Sequence, residues 1–481
     1  MIGWIVLGVL ALFVGTLVVR AALFRAPEET AATPADVQVD AAKAAEALAA
    51  LVRCKTVSHA DPALDDAAEF TRLEALLPSL YPLVHRTLTR EKIPPRGLLY
   101  RWKGGNADAP LVLTAHYDVV PADGDGWDGD PFSGEIAEGL IHGRGTLDTK
   151  CTLAAILTAA ETLIAQGFVP ARDIYFCFGG DEEVMGGGAK AIAATLEARG
   201  VKPLMVVDEG GAIVENVFPG VAQPCALIGI AEKGSVNYTA TALSAGGHSS
   251  APPVNSPLTL LSDAVRCIRQ KPFRFRITEP ARALVRHLAP HSTFVYRLIF
   301  ANLWAFAPVL DMITRKSGGE LNALFRTTVA FTVMRGGDAA NVLPQSAELT
   351  MNVRVLPGES IQSTLQGLRA RVTDKRVAIA LLRGLAPSQV SSTAGEGYAA
   401  LTQSIREVYA GVLTSPYLMI AASDARHYER ICGHVFRFSG MPLSSAERKM
   451  IHGVNERIPV AKQADAARFF MRLMDNAAGC A

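Results

Sequence analysis

With 47 Lys+Arg against 46 Asp+Glu over 481 residues, the chain is nearly neutral, a balance that excludes a basic nucleic-acid-binding protein. Hydrophobic residues at 49% against 19% charged exclude a mostly disordered chain, and the length allows about two to four domains. Seven cysteines, at 54, 151, 177, 225, 267, 432 and 480, are odd in number and form no CxxC or CxxxC pair. Neither a disulfide framework nor a cysteine-rich zinc site is expected, and Cys177 reads as a core residue.

The first segment, MIGWIVLGVLALFVGTLVV (1–19), carries no charged side chain and is followed by Arg20 and Arg25. About 20 apolar residues cross a bilayer as a helix. No basic residue precedes the apolar core, so an anchor is expected over 1–24 rather than a cleaved signal. Arg20 and Arg25 favour a cytoplasmic body, although two arginines leave the side of the membrane open. Residues 25–40 read as a linker and an Ala-rich helix follows over 40–52. From 97 to 207 the pattern is strand (98–102), strand (111–115), helix (151–167), strand (173–178), helix (189–200) and strand (204–207). That alternation predicts a parallel or mixed sheet covered by helices.

The rhythm changes near 233. Strands at 236–243, 327–334 and 347–355, a helix over 359–372 and a strand at 377–382 predict a small α+β unit inserted into the first. Helical periodicity resumes near 397. The expected divisions are therefore 41–232 and 389–481 for the main domain and 233–388 for the insert. Within the insert, TFVYRLIFANLWAFAPVLDMI (293–313) is the most aromatic stretch of the chain. Core packing or a dimer interface is the plain reading; a wall that receives an acyl chain or dips into a membrane is the sharper one.

Open α/β sheets bind ligands beyond the carboxyl ends of their strands. There this sequence has His116 and Asp118 after one strand, Asp181, Glu182 and Glu183 after another, and Asp208 and Glu209 after a third. Asp148 lies just before the first long helix. Taken singly, Asp148 could be a helix N-cap and Glu182–Glu183 a solvated turn. Together, the acids would repel unless a cation joined them, and mixed His and carboxylate ligation suits zinc, with cobalt or manganese possible. The ligand number suggests two metals with one bridging carboxylate. Asp118, two residues after His116, can accept its second ring N–H. One of the Glu182–Glu183 pair can bind metal while the other acts as general base.

The stretches TAHYDVVPA (114–122), DPFSGEIAEGLIHGRGTLDTK (130–150), GGDEEVMGGGA (179–189), VVDEGG (206–211), AEKGS (231–235), AGGHSSAPP (245–253), NVLP (341–344), SDARHY (423–428) and IHGVNERI (451–458) resemble the di-zinc metallopeptidases that include carboxypeptidase S, carboxypeptidase G and the aminoacylases. The likeness is greatest to the branch of carboxypeptidase S and the N-fatty-acyl-amino-acid synthase/hydrolases. The resemblance implies a three-layer α/β zinc domain with an inserted α+β lid. It implies His116 and Asp208 at one metal, Glu183 and His452 at the other, Asp148 between them, Glu182 as general base and Asp118 behind His116. It further implies His248 at the oxyanion, often across a homodimer formed by the lid, with Arg426, Arg354 and Asn341 near the substrate. The expected reaction is hydrolysis of an amide beside a free carboxylate, in a peptide or an N-acyl amino acid, by a metal-activated water. Thr149 stands where the family often has an acid and Gly180 where this branch often has His. A catalytically dead, membrane-tethered binding protein is the alternative, which the full ligand set disfavours. The absence of GxGxxG after the first strand disfavours a nucleotide-binding oxidoreductase.

Overall fold

The computed structural model describes residues 1–27 and 32–479, so Cys480 and residues 28–31 of the expected linker lie outside the described residues. In chain order the elements that bear on the site begin with α1 (Ile2–Leu23), α2 (Ala41–Val52), β1 (Thr89–Ile93), β2 (Gly97–Trp102), β3 (Asn106–His116), α3 (Lys150–Ala165), β4 (Arg172–Gly179), α4 (Gly188–Ala198), β5 (Met205–Asp208), β6 (Cys225–Glu232) and β7 (Gly234–Leu243). They continue with α5 (Pro257–Gln270), α6 (Glu279–Leu288), α7 (Phe294–Ala301), α8 (Leu303–Ser317), α9 (Gly319–Phe325), β8 (Thr328–Arg335), β9 (Ser346–Val355), α10 (Ile361–Arg371), β10 (Val377–Leu385), α11 (Glu396–Val408), β11 (Leu413–Met419), β12 (Val435–Arg437) and α12 (Val460–Ala478).

The large sheet is mixed, in the order β1-β2-β4-β3-β5-β12-β6-β11, with Ile213–Val214 added on β6. Its centre is parallel: β3 pairs with β4 and β5, and β5 with β12. Alternate residues of the central strands feed opposite layers, as the strand period of two requires. Leu111, Leu113, Phe176 and Phe178 pack with Leu48, Leu157 and Phe470 of α2, α3 and α12. Val112, Tyr175 and Cys177 pack on the other face with Ile192 and Leu196 of α4. Helices thus cover both faces, and α3 stops where Gly167 turns left-handed at φ 80°, a conformation that favours glycine.

The second sheet is antiparallel throughout, in the order β8-β9-β7-β10. It has its own core, in which Val236, Tyr238, Met351 and Val353 meet Leu261 and Ile268 of α5 and Leu368 of α10. Both helices start at serine capping boxes, Ser256 with Thr259 and Ser360 with Ser363. The strand and helix positions expected between 236 and 382 are all occupied as such.

α1 is 22 residues long with a mean hydropathy of 2.6, long and apolar enough to cross a membrane. Only Leu17 and Ala21 of it are buried. Its last turns lie against α7 and α8, which meet at 106° around the fully buried Asn302. The Asn302 amide donates to the Leu17 carbonyl at 3.0 Å and accepts from Arg20 Nε at 3.1 Å, and Phe13 meets Trp304 edge-on.

Candidate metal centre

Parallel pairing brings the carboxyl ends of β3, β4 and β5 to one edge of the large sheet. His116 is the last residue of β3, and Glu182 and Glu183 sit in a short 3-10 turn after β4. Asp148 is not an N-cap: Thr149 holds that position before α3, without a side-chain cap bond. Instead the Asp148 carboxylate lies between two imidazoles. Its Oδ1 is 3.0 Å from His116 Nε2 and its Oδ2 is 3.0 Å from His452 Nε2. Glu183 Oε2 is 3.1 Å from the same His452 nitrogen. Glu209 Oε1 is 3.3 Å from His116 Nε2.

The structure therefore corrects one expectation. Glu209, not Asp208, meets His116. Asp208 turns to Thr114, whose hydroxyl donates to Oδ1 at 2.5 Å, while Oδ2 is buried with no hydrogen-bond partner among the described residues. Adjacent residues at a strand end point to opposite sides, so only one of the two acids can face the cluster. His116, Asp148 and Glu183 offer ligand atoms within 4.8 Å of one another, and so do His116, Glu182 and Glu209. Glu183 Oε1 is a further buried oxygen without a hydrogen-bond partner among the described residues. Two imidazoles among clustered carboxylates, one carboxylate shared, is a donor set that fits two divalent cations.

Electrostatics agree with that fit. Burial pushes the Glu209 carboxyl up to about 8, with Asp148 adding repulsion. Burial likewise drives Glu182 well above the usual carboxylate range, opposed by His116 and reinforced by Asp424, Glu209 and Glu183. Asp148 goes the other way: burial opposes it, but hydrogen bonds from His116 and His452 hold it below the ordinary range. Hydrogen bonds to Asp148 and Glu183 raise His452 to about 10. Surplus negative charge at this edge is thus seeking a cation.

Asp118 stands behind His116, fully buried, with its Oδ1 3.3 Å from Nδ1; the Asp118 carbonyl is nearer, at 3.0 Å. It also does something the sequence did not reveal. Its carboxylate accepts the backbone N–H groups of Glu182 and Glu183, at 3.1 and 3.2 Å, and the Ser58 hydroxyl at 2.6 Å. A second unforeseen residue is Glu456. It is fully buried, pairs with Arg144 at 2.7 Å, and its Oε1 accepts from the N–H groups of Gly145, Leu147 and Asp148. It ties the loop of Asp148 to the loop of His452. Asp424, also buried and raised well above its usual range by burial and by Asp208, was not foreseen either.

The expected substrate residues are less gathered. Arg426 lies 3.4 Å from the buried Glu232 and donates to the Ala386 carbonyl. Arg354 bonds only Asn352 among the described residues, and burial and Arg426 beside it lower its pKa. His248 and Asn341 lie on an exposed ribbon where Gly247–His248 pairs with Val342–Leu343. The His248 imidazole bonds Ser250, and among the described residues it has no contact with the carboxylate cluster. A ribbon projecting from the second sheet carries it outward.

Residues 112–476 match the family model described as "Peptidase family M20/M25/M40". The chain is 35% identical over 440 residues to a probable carboxypeptidase S-like 2 of Dictyostelium discoideum, covering 90% of this chain and 84% of that one. It is 34% identical over 438 residues to an N-fatty-acyl-amino acid synthase/hydrolase, PM20D1, of Xenopus tropicalis, covering 90% and 85%. Among solved structures, the M20 family metallo-carboxypeptidase Sso-CP2 of Sulfolobus solfataricus shares the fold with a TM-score of 0.67 at 17% identity, over 90% of this chain and 98% of that one. With this match over most of its length and a two-histidine carboxylate centre at the sheet edge, the chain belongs to the M20/M25/M40 peptidase family and is a metallohydrolase.

Proposed function

We propose that the chain is a two-zinc hydrolase that cleaves an amide bond next to a free carboxylate, with N-acyl amino acids as its substrates. The observation that carries this reading is the Asp148 carboxylate spanning His116 and His452, with Glu209 on one side and Glu183 on the other. Zinc ions held there, one by His116 and Glu209 and one by His452 and Glu183 with Asp148 shared, would polarise the scissile carbonyl and lower the pKa of the attacking water. Glu182 takes the proton of that water and delivers it to the leaving nitrogen. A carboxylate whose pKa burial has raised suits both halves of the transfer. Asp118 holds the Glu182–Glu183 turn in register with His116 by accepting both backbone N–H groups.

Arg354 and Arg426 receive the substrate carboxylate. Supporting this role, their guanidinium groups are close enough to repel, with Lys233 beside them, and Arg354 has no acid of its own among the described residues. The unit 233–388 acts as a lid between the two halves of the catalytic domain, 41–232 and 389–481. Its exposed His248, with Asn341 beside it, reaches the oxyanion of a second copy in a homodimer. α1 is a retained anchor: a cleaved signal would leave the buried Asn302 without its Leu17 carbonyl and Arg20 partners.

An acyl substrate is favoured by the printed activity of the PM20D1 relative and by an apolar cavity of about 590 Å³ flanking the centre. Cleavage of C-terminal peptide bonds is the second reading, favoured by the carboxypeptidase S-like relative. The test is a hydrolysis screen of N-acyl amino acids against dipeptides with the purified, zinc-loaded full chain. Preferential cleavage of N-acyl amino acids is expected. Preferential cleavage of dipeptides supports the second reading, and no cleavage of either class overturns both.

A further inference from the structure

α7 and α8 leave an apolar surface largely exposed among the described residues. Phe294, Val295 and Tyr296 on α7, and Trp304, Val309, Met312 and Ile313 on α8, are all exposed. That face is not isolated, because it continues the surface of α1. Phe13, Leu17 and Arg20 lie along one side of α1 and touch Trp304, Asn302 and Ala301. At about 1.5 Å per residue, α1 is about 33 Å long, close to the ~30 Å of a hydrocarbon core. Phe13 lies near its middle. If α1 spans a bilayer, a side chain packed on Phe13 cannot be outside it. Polar atoms at the α7–α8 corner are satisfied within the protein, as such depth requires: Asn302 bonds Leu17, Leu298 and Arg20, and Arg20 also reaches the Ala301 carbonyl. Arg315 and Lys316 at the far end of α8 are exposed, in position to reach headgroups.

The cavity of about 590 Å³ starts from the same corner. Phe300 of α7 forms part of its wall and meets Phe218 with ring centroids 4.7 Å apart and planes tilted by 44°. Leu321 of α9, partly exposed, forms its rim four residues beyond the end of α8, and Leu324 lies deeper. At the other end are Gly210 and Ile451, the chain neighbours of Glu209 and His452. The largely apolar cavity thus extends from the α7–α8 corner to residues next in the chain to Glu209 and His452.

We infer that α7 and α8 form a re-entrant element immersed in the bilayer that α1 crosses, and that the cavity takes the apolar tail of an amphiphilic substrate directly from that bilayer. The second half of this inference rests on the N-acyl amino acid reading above; the first half does not. The test uses the full chain in phosphatidylcholine nanodiscs. In a Trp4→Phe background, lipids brominated mid-chain should quench a component of tryptophan emission that is absent from the Trp4→Phe/Trp304→Phe chain. Met312→Glu should lower kcat/KM for a nanodisc-borne long-chain N-acyl amino acid about tenfold, with turnover of the water-soluble N-acetyl analogue retained as the control for folding. Equal quenching in the two tryptophan backgrounds overturns immersion. Quenching at Trp304 with Met312→Glu cutting the long-chain substrate as the wild type does overturns lateral entry. Quenching in a chain that hydrolyses neither substrate refutes the amidohydrolase reading and upholds immersion.

Discussion

Four acids near the centre divide their roles by where each side chain points. Glu183→Gln and Glu209→Gln should lower metal content, because each removes a carboxylate that faces a histidine. Glu182→Gln should abolish turnover and keep both metals. Asp208→Asn should keep its metals too, since Asp208 faces Thr114. Metal-to-protein ratios after dialysis check all four, and equal metal loss in Asp208→Asn and Glu209→Gln would undo the assignment of Glu209. The sequence made the Asp208–Glu209 pair visible and left its orientation open. Asp208 ends a short strand and Glu209 follows it, and which one turns inward depends on the twist at that end. His116 and Asp148 were legible because each stands at or beside the end of an element, whereas the division between Glu182 and Glu183 came only from the family resemblance. Asp118 was legible as the partner of His116 but not as the acceptor of two backbone N–H groups, a role that needs β3 and β4 side by side.

At the level of elements, strands of the large sheet were readable from short apolar runs, and the second unit from its period of two. β12 and β11 were not foreseen: three residues, Val435–Arg437, carry little pattern, and β11 contains Pro416. What binds these elements to the site is also hidden in sequence. Glu456 joins loops that are 308 residues apart, and nothing local announces it. Glu456→Ala leaves the buried Arg144 guanidinium without its carboxylate and frees three backbone N–H groups. It should cost about 3–5 kcal/mol, read from the denaturant midpoint, and weaken metal binding as the Asp148 loop loosens. Glu456→Ala with unchanged metal affinity would reduce the residue to a purely structural ion pair.

Lys233, just beyond β6, is fully buried with its ammonium donating to the carbonyls of Ala323 and Arg326. Burial, with Arg354 adding repulsion, pushes its pKa down to about 7. Unfolded, the group titrates near the ordinary lysine value of 10.5. Between those values the unfolded chain holds the extra proton, so stability rises with pH through this window. The wild type should therefore gain stability relative to Lys233→Met as pH climbs from about 7 toward 10, measured by urea unfolding at stepped pH. A difference that stays flat across that range would mean that Lys233 keeps its charge in the fold.

On the scale of the molecule, α1 is fastened to the body by its last three turns and is otherwise bare. Removing residues 1–25 should weaken membrane attachment without abolishing it, since α7 and α8 keep their apolar exposed face, and should leave hydrolysis of short, water-soluble substrates within about twofold, because among the described residues none of the centre touches α1. Fractionation and kcat on an N-acetyl substrate check this. The apolar helix was plain in sequence. Its grip on Asn302 was not, since that contact joins positions 282 residues apart.

The late position of His452 has a consequence for biosynthesis. A growing chain exposes His116, Asp148, Glu183 and Glu209 long before the segment holding His452 and Glu456 is made. Until that segment docks, Asp148 has one imidazole instead of two, and its loop lacks the acceptor that gathers three of its N–H groups. A nascent or prematurely terminated chain can thus display acids to metal ions without assembling the two-histidine cluster, which is complete only once translation has passed His452.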